Sequence, residues 1–563
     1  MLLYKLAILL LSFTLINGTE DYPKVKTSLG SIRGYYKTSE NGRLYEAYEG
    51  IPYALPPMEK LRFQAPKKIP SWTGELQATK VSDACIQYTH MPANKDERVE
   101  GSEDCLYLNV YVPVCDQKAS PMPVIFWIHG GCFQFGTGSR FGAKYLADKD
   151  VILVTINYRL GPMGFLSTED EIVPGNMGLK DQSMALRWVH DNIEWFGGDP
   201  KKITLTGLSA GGASVHYHYL TPLSAGLFQN GISFSGTALL CWAQTENAQE
   251  KAKKLGALMG CPTDNTKDMV ECLQQRPARP LVQATSEFMP WLYNPYTPFG
   301  PVVEKVEKDY FINKPPVEII ASGNAQDVPW ITGVVSEEGL YPVAEFIAQE
   351  HHMKYLDENW NEVAKYLLDY NYTLPSDKHA KVASKIKKHY YGPNPIDTQN
   401  VRPLTLMVGD RLFVTDAEKA ARLQAKANKS PVWFYYFSYR AADSLSDVLS
   451  GTKQDFGVSH GDDVCLVLDT PYINPRTTEQ DKAMQKDLLN FWVSVAINGK
   501  PDFGVEWPKV DWEKKKLNYL HVSGPKNCKM ETNDNLGQKK FWKKIKFNEN
   551  ILKKKPQAPK EEL

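Results

Sequence analysis

The sequence predicts an α/β fold, a large and mostly parallel central sheet flanked by helices. Three observations carry that expectation. Short apolar runs rich in Val and Ile recur along the chain, as in strands buried on both faces. Segments with helical apolar spacing lie between them, and strand–helix–strand order implies crossover connections. Of the 563 residues, 42% are hydrophobic, enough for a large core. No Gly/Ser-rich or Pro-rich linker and no internal repeat divides them. One large domain over residues 19–550 is therefore expected.

The strands are expected at PVIFWIH (123–129), VILVTINY (151–158), ITLTG (203–207), ISFSG (232–236), PWITGVV (329–335) and VWFYYFSY (432–439). Between the second and third, DQSMALRWVHDNIEWF (181–196) carries Leu186, Val189, Ile193 and Phe196 at helical spacing, and GGDP then breaks it. ITLTG runs into a serine between two glycines, G-L-S-A-G at 207–211, followed by small residues that start a helix. This pattern arises by chance in roughly one chain in five of this length, so it acquires meaning only with partners. Its setting, between strand and helix, is that of a nucleophile elbow. There the serine stands at the tip of a tight turn, and the helix N-terminus points N–H groups at the reacting oxygen.

A serine nucleophile needs a base, an acid that orients the base, and donors for the oxyanion. WIHGGCF (127–133) offers two glycines after a strand, with the N–H groups of Gly131 and Cys132 joining that of Ala210 as donors. VSHGDD places His460 in a polar loop flanked by glycine, which suits an exposed, mobile imidazole. VVSEEGL ends a strand in two carboxylates. Glu338, directly before Gly339, is the expected acid and Glu337 the second choice. The order Ser209, Glu338, His460 is that of the α/β-hydrolases.

With these residues in place, the chain resembles the type-B carboxylesterases of the carboxylesterase/cholinesterase family. The resemblance rests on YEGIPYALPP, LRFQAP, SEDCLYLNVYVP, WIHGGCF, FGPVVE, GVSHGDD and the long block NMGLKDQSMALRWVHDNIEWFGGDPKKITLTGLSAGGASV. It implies an α/β-hydrolase fold with a deep gorge and an acyl-enzyme cycle on Ser209, with His460 as base and Glu338 as acid. Substrates would be small to medium apolar esters, and no metal or organic cofactor is implied. Three positions depart from relatives. Leu208 stands where Glu or Gln is frequent, and juvenile hormone esterases show G-Q-S-A-G. Cys132 replaces the third glycine of the oxyanion loop, where its thiol narrows the site or meets thiol reagents. The loop 86–104 has no Trp to hold choline by a cation–π contact. A narrow juvenile hormone esterase and a non-catalytic, cholinesterase-like adhesion protein are the competing readings.

The remaining features bear on location. The N-terminus carries one Lys before an apolar run, as a signal peptide ending near residue 18 would. No other stretch is long and apolar enough to span a membrane. Lys+Arg and Asp+Glu balance at 65 each, which gives no argument for nucleic acid. Of nine cysteines, Cys85 with Cys105 and Cys261 with Cys272 are attractive by spacing, while connectivity stays open on spacing alone. The family resemblance implies the same two pairs. Asn371 and Asn428 head glycosylation motifs, the second followed closely by Pro431. The tail 551–563 ends in K-E-E-L, which resembles a retrieval signal read by a receptor and points to the endoplasmic reticulum lumen, with secretion as the alternative. The oligomeric state is not readable.

Overall fold

The computed structural model describes residues 22–91, 97–115 and 120–552. The expected signal peptide and the K-E-E-L tail lie outside them.

The core is an eleven-stranded sheet. In chain order its strands are β1 Tyr35–Thr38, β2 Leu44–Pro52, β3 Tyr107–Pro113, β4 Met122–Ile128, β5 Ile152–Ile156, β6 Gly198–Leu208, β7 Asn230–Phe234, β8 Trp330–Val335, β9 Val432–Phe437, β10 Leu517–Val522 and β11 Cys528–Asn533. Across the sheet they run β11-β10-β9-β8-β7-β6-β4-β5-β3-β2-β1. The seven from β5 to β10 pair in parallel. The outer strands pair antiparallel. All six expected strands fall inside this sheet. β4, β5, β7 and β8 are almost wholly buried, because helices cover both faces, which is why they read as continuous apolar runs.

The helix expected at 181–196 begins earlier, at Met177, and its last turn, Ile193–Phe196, tightens to 3₁₀ before Gly197. Its polar first turn is what hid that start: Lys180 and Asp181 are buried, paired with Glu304 and Arg159. Charged residues on a helix read as solvent-facing unless their partners are known.

Parallel strands end at the same edge of the sheet. The segments after β4, β6 and β8 therefore emerge together, carrying Gly130–Cys132, Ser209 and Glu338. Two disulfides, Cys85–Cys105 and Cys261–Cys272, close with Cα separations of 4.9 and 5.7 Å. The first loop delivers Met91 to this edge. Cys115, Cys132, Cys241, Cys465 and Cys528 are unpaired. Among the described residues no helix is long and apolar enough to cross a membrane.

Candidate active site

Ser209 joins β6 to the helix Ala210–Leu220. Its φ of 60° and ψ of −121° are costly for a residue with a side chain. Its N–H donates to the Phe234 carbonyl at 2.8 Å, so the neighbouring strand holds the turn in place. The turn is possible because a glycine follows. A Cβ on Gly211 would sit 2.0 Å from the Ile128 carbonyl oxygen. Close packing of helix on strand thus rests on the glycines of the G-L-S-A-G motif.

The loop after β4 turns back at Gly131, whose φ of 105° favours glycine. Cys132 and Phe133 follow with positive φ as well. Among the described residues, the N–H groups of Gly131, Cys132 and Ala210 meet no acceptor. Cys132 is buried, and burial pushes its thiol up to about 12, with the neighbouring Tyr341 opposing the shift only in part. The thiol narrows the site but holds little thiolate to react with thiol reagents.

His460 is not the exposed, mobile imidazole expected of a polar loop; it is buried, 6% exposed. The reason is a set of ties invisible in the local sequence. Its Nδ1 lies 2.6 Å from Glu338 Oε2, and the Glu338 side chain has no exposure. Glu338 Oε1 accepts from the Val335 N–H at 2.9 Å. An ionised carboxylate only accepts, so Nδ1 carries the proton and Nε2 is left as the basic nitrogen. That Nε2 is buried and has no hydrogen-bond partner. The rings of Phe413 and Tyr341 cover the imidazole, at centroid distances of 4.5 and 5.6 Å.

Glu337 is not the partner of His460. It accepts from the Val458 N–H at 3.0 Å, meets Arg402 at 3.1 Å and takes the Ser336 hydroxyl. Asp462 accepts from the N–H groups of Ser459 and Leu445 and from the Ser444 hydroxyl. Asp463 takes the Tyr435 hydroxyl at 2.8 Å. Burial raises Asp462 to about 7 and Asp463 to about 6. These residues anchor the histidine loop and were missed by sequence reasoning, since nothing local separates an anchoring carboxylate from a solvated one.

Ser209 and His460 line one cavity of about 110 Å³, without a direct hydrogen bond between them. Its wall is mostly apolar, with Met91, Phe135, Leu208, Leu445 and Leu449 among the lining, and it carries no carboxylate among the described residues. The aromatic segment 287–301 does not line it. Instead, its Tyr296 packs behind Tyr341, with ring centroids 5.4 Å apart. Among the described residues no three His, Cys, Asp or Glu side chains are grouped to hold a metal.

The acceptor asparagines differ. Asn371 opens a half-buried turn after the helix Trp360–Leu367. At Asn428, Nδ2 already donates to the Gln326 carbonyl at 2.8 Å. In the helix Lys539–Trp542, Phe541 and Trp542 are buried.

Comparisons with known proteins identify the family. The family model described as Carboxylesterase family matches residues 21–542. Venom carboxylesterase-6 of Apis mellifera is 56% identical over 535 residues, covering 95% of this chain and 96% of its own. A carboxylic ester hydrolase of Bombus ignitus is 55% identical over 552 residues, with 97% and 98% covered. The crystal structure of juvenile hormone esterase from Manduca sexta, with OTFP covalently attached, superposes with a TM-score of 0.81 at 27% identity, covering 93% of this chain and 99% of that one. The chain belongs to the carboxylesterase family: it is an ester hydrolase on an α/β-hydrolase fold.

Proposed function

We propose that the chain cleaves small to medium apolar carboxylic esters through an acyl-enzyme on Ser209, with His460 as base and Glu338 as its orienting acid. The observation that carries this reading is the 2.6 Å contact of His460 Nδ1 with the buried Glu338. It leaves a basic Nε2 in the cavity that Ser209 shares.

The cycle follows from the groups present. Ser209 Oγ adds to the ester carbonyl while His460 Nε2 takes its proton. The charge that develops on the carbonyl oxygen is met by the N–H groups of Gly131, Cys132 and Ala210, each such donor being worth about 3–4 kcal/mol in the transition state. The tetrahedral species collapses, and the imidazolium gives its proton to the departing alcohol. Water, deprotonated by the same nitrogen, then adds to the acyl carbon. Collapse of that second species releases the acid and restores Ser209. The Ser209–His460 hydrogen bond forms as the substrate packs against both groups, since such bonds often tighten only in the complex.

A cavity of about 110 Å³ with apolar walls supports one short apolar substituent at the reacting carbon. The absence of Trp between Cys85 and Cys105, and of a lining carboxylate among the described residues, speaks against choline esters. Leu208 before the nucleophile speaks against a dedicated juvenile hormone esterase. Maturation in an oxidising lumen is supported by the two disulfides. The luminal proposal predicts a glycan at Asn371 before Asn428, checked by glycosidase mass shift.

The deciding experiment is turnover of short-chain aryl esters by the full chain and by Ser209→Ala, with folding matched by circular dichroism. A loss of at least about a thousandfold in kcat supports the triad. A folded wild type with no turnover and no labelling by an organophosphate sinks it and favours an interaction role.

A further inference from the structure

A second cavity, of about 490 Å³, lies between the helix Ala248–Leu258, the helix Pro316–Ala321 and the C-terminal segment 548–551. It shares no lining residue with the cavity of Ser209. We propose that it binds a small organic ammonium ion that also carries a hydroxyl group.

The argument is one of unspent polar groups. Glu246 and Asp369 line this cavity, and among the described residues neither side chain has a hydrogen-bond or ion-pair partner. Lys251 lines it too, only 7% exposed, with Nζ 4.9 Å from the centre of the Tyr372 ring and no acceptor among the described residues. The hydroxyls of Thr297 and Thr373, in side chains 7% and 3% exposed, are buried without partners on the same wall. Two more acids line the wall: Glu549 is already held by both terminal nitrogens of Arg411, and Glu318 has no side-chain partner among the described residues. Three free carboxylates, Glu246, Asp369 and Glu318, against one free amine leave negative charge in excess. Half-buried charge without a partner is poorly compensated, so the complementary guest brings a cation with N–H donors. Its hydroxyl serves the Lys251 amine and the threonines, which need a group that both accepts and donates. The titration of these groups agrees. Burial pushes Glu246 up to about 7 and Asp369 up to about 6, and pushes Lys251 down to about 8.

The charged groups facing the two carboxylates are Lys251, Arg411 and Glu549. Asp416 and Lys419 stand behind Arg411. None of these is substituted in a double variant of Glu246 and Asp369, so its affinity reports on those two carboxylates; in the pH arm Lys251 and Asp416 gain protons as well, which acts in the same direction.

The test titrates ethanolamine into the full chain by calorimetry, with ethylene glycol as the uncharged control at matched ionic strength. Ser209→Ala is run alongside, which separates this site from the catalytic one and frees the result from the esterase reading. The expected result is saturable ethanolamine binding in the millimolar range, unchanged in Ser209→Ala and absent with ethylene glycol. The double variant Glu246→Gln, Asp369→Asn weakens it at least tenfold. Moving wild type from pH 7.5 to 5.5 protonates the carboxylates and weakens binding at least threefold. The proposal is overturned by no saturable binding, by equal binding of ethylene glycol, by loss of binding in Ser209→Ala, or by unchanged affinity in the folded double variant. If that variant does not fold, a flat pH profile in wild type overturns it.

Discussion

The Ser209 turn, the candidate nucleophile elbow, and the histidine loop meet at one cavity but are held there by different physics. The elbow is held by shape. Gly211 lies against the Ile128 carbonyl, and backbone pairing with Phe234 fixes the turn. The histidine loop is held by buried polar ties that reach it from other parts of the chain, Glu337 and Glu338 above all. A region held by shape tolerates almost no change in volume. A region held by ties tolerates change until a specific oxygen is lost. The two regions therefore fail in different ways, and each failure is measurable.

The largest effect is expected at Glu338→Gln. The amide fills the same space but no longer stabilises the imidazolium or sets the tautomer. Loss of about 10³–10⁴ in kcat is expected, as for the acid of other triads, with little change in Tm. A loss below tenfold breaks the comparison, since the histidine would then be held without its acid. At the elbow, Gly211→Ala is expected to act on folding before chemistry. The added Cβ meets a backbone oxygen 2.0 Å away on a strand paired on both sides. A destabilisation of about 3 kcal/mol is expected in urea melts, and wild-type stability refutes the claim that shape holds this turn.

Smaller effects sharpen the contrast. Glu337→Gln keeps one acceptor oxygen and loses the charge toward Arg402, whose side chain is 68% exposed. About tenfold lower kcat and about 1 kcal/mol of stability are expected as the loop loosens. An effect as large as that of Glu338→Gln would mean that the two adjacent carboxylates were assigned to the wrong roles. The smallest effect is in pH dependence. Asp463 has its pKa raised by burial to about 6, against about 3.9 unfolded. Between those values the folded state holds a proton that the unfolded state releases. The stability this contributes is present below about pH 4 and is lost as pH rises to about 6. Asp463→Asn removes that slope, so its Tm should fall about 1 °C less than that of wild type between pH 4.5 and 6.5. Equal slopes would show that this anchor does not titrate there.

How much of the site was legible follows from the same division. Ser209 and its glycines could be read locally, because close approach and positive φ demand particular residue types at adjacent positions. Gly131 was legible for the same reason. His460 was found by its neighbours and its order in the chain, yet its environment was misread: a loop of Ser, Gly and Asp looks solvated. Burial there depends on Ser444, Leu445 and Tyr435, which lie up to 28 positions away. Tyr341 and Phe413, the rings that cover the imidazole, carried no signal beyond being aromatic.

The sequence by itself determined the alternation of strands and helices, the elbow and the order of the candidate triad. Each depends on periodicity or on steric demands between near neighbours, which one dimension records. Only the tertiary structure decided which of two adjacent glutamates faces His460, that the imidazole is buried, and that Glu246, Lys251 and Asp369 share a cavity. Those facts depend on crossing of distant segments, and a carboxylate's partner is set by where the backbone delivers it.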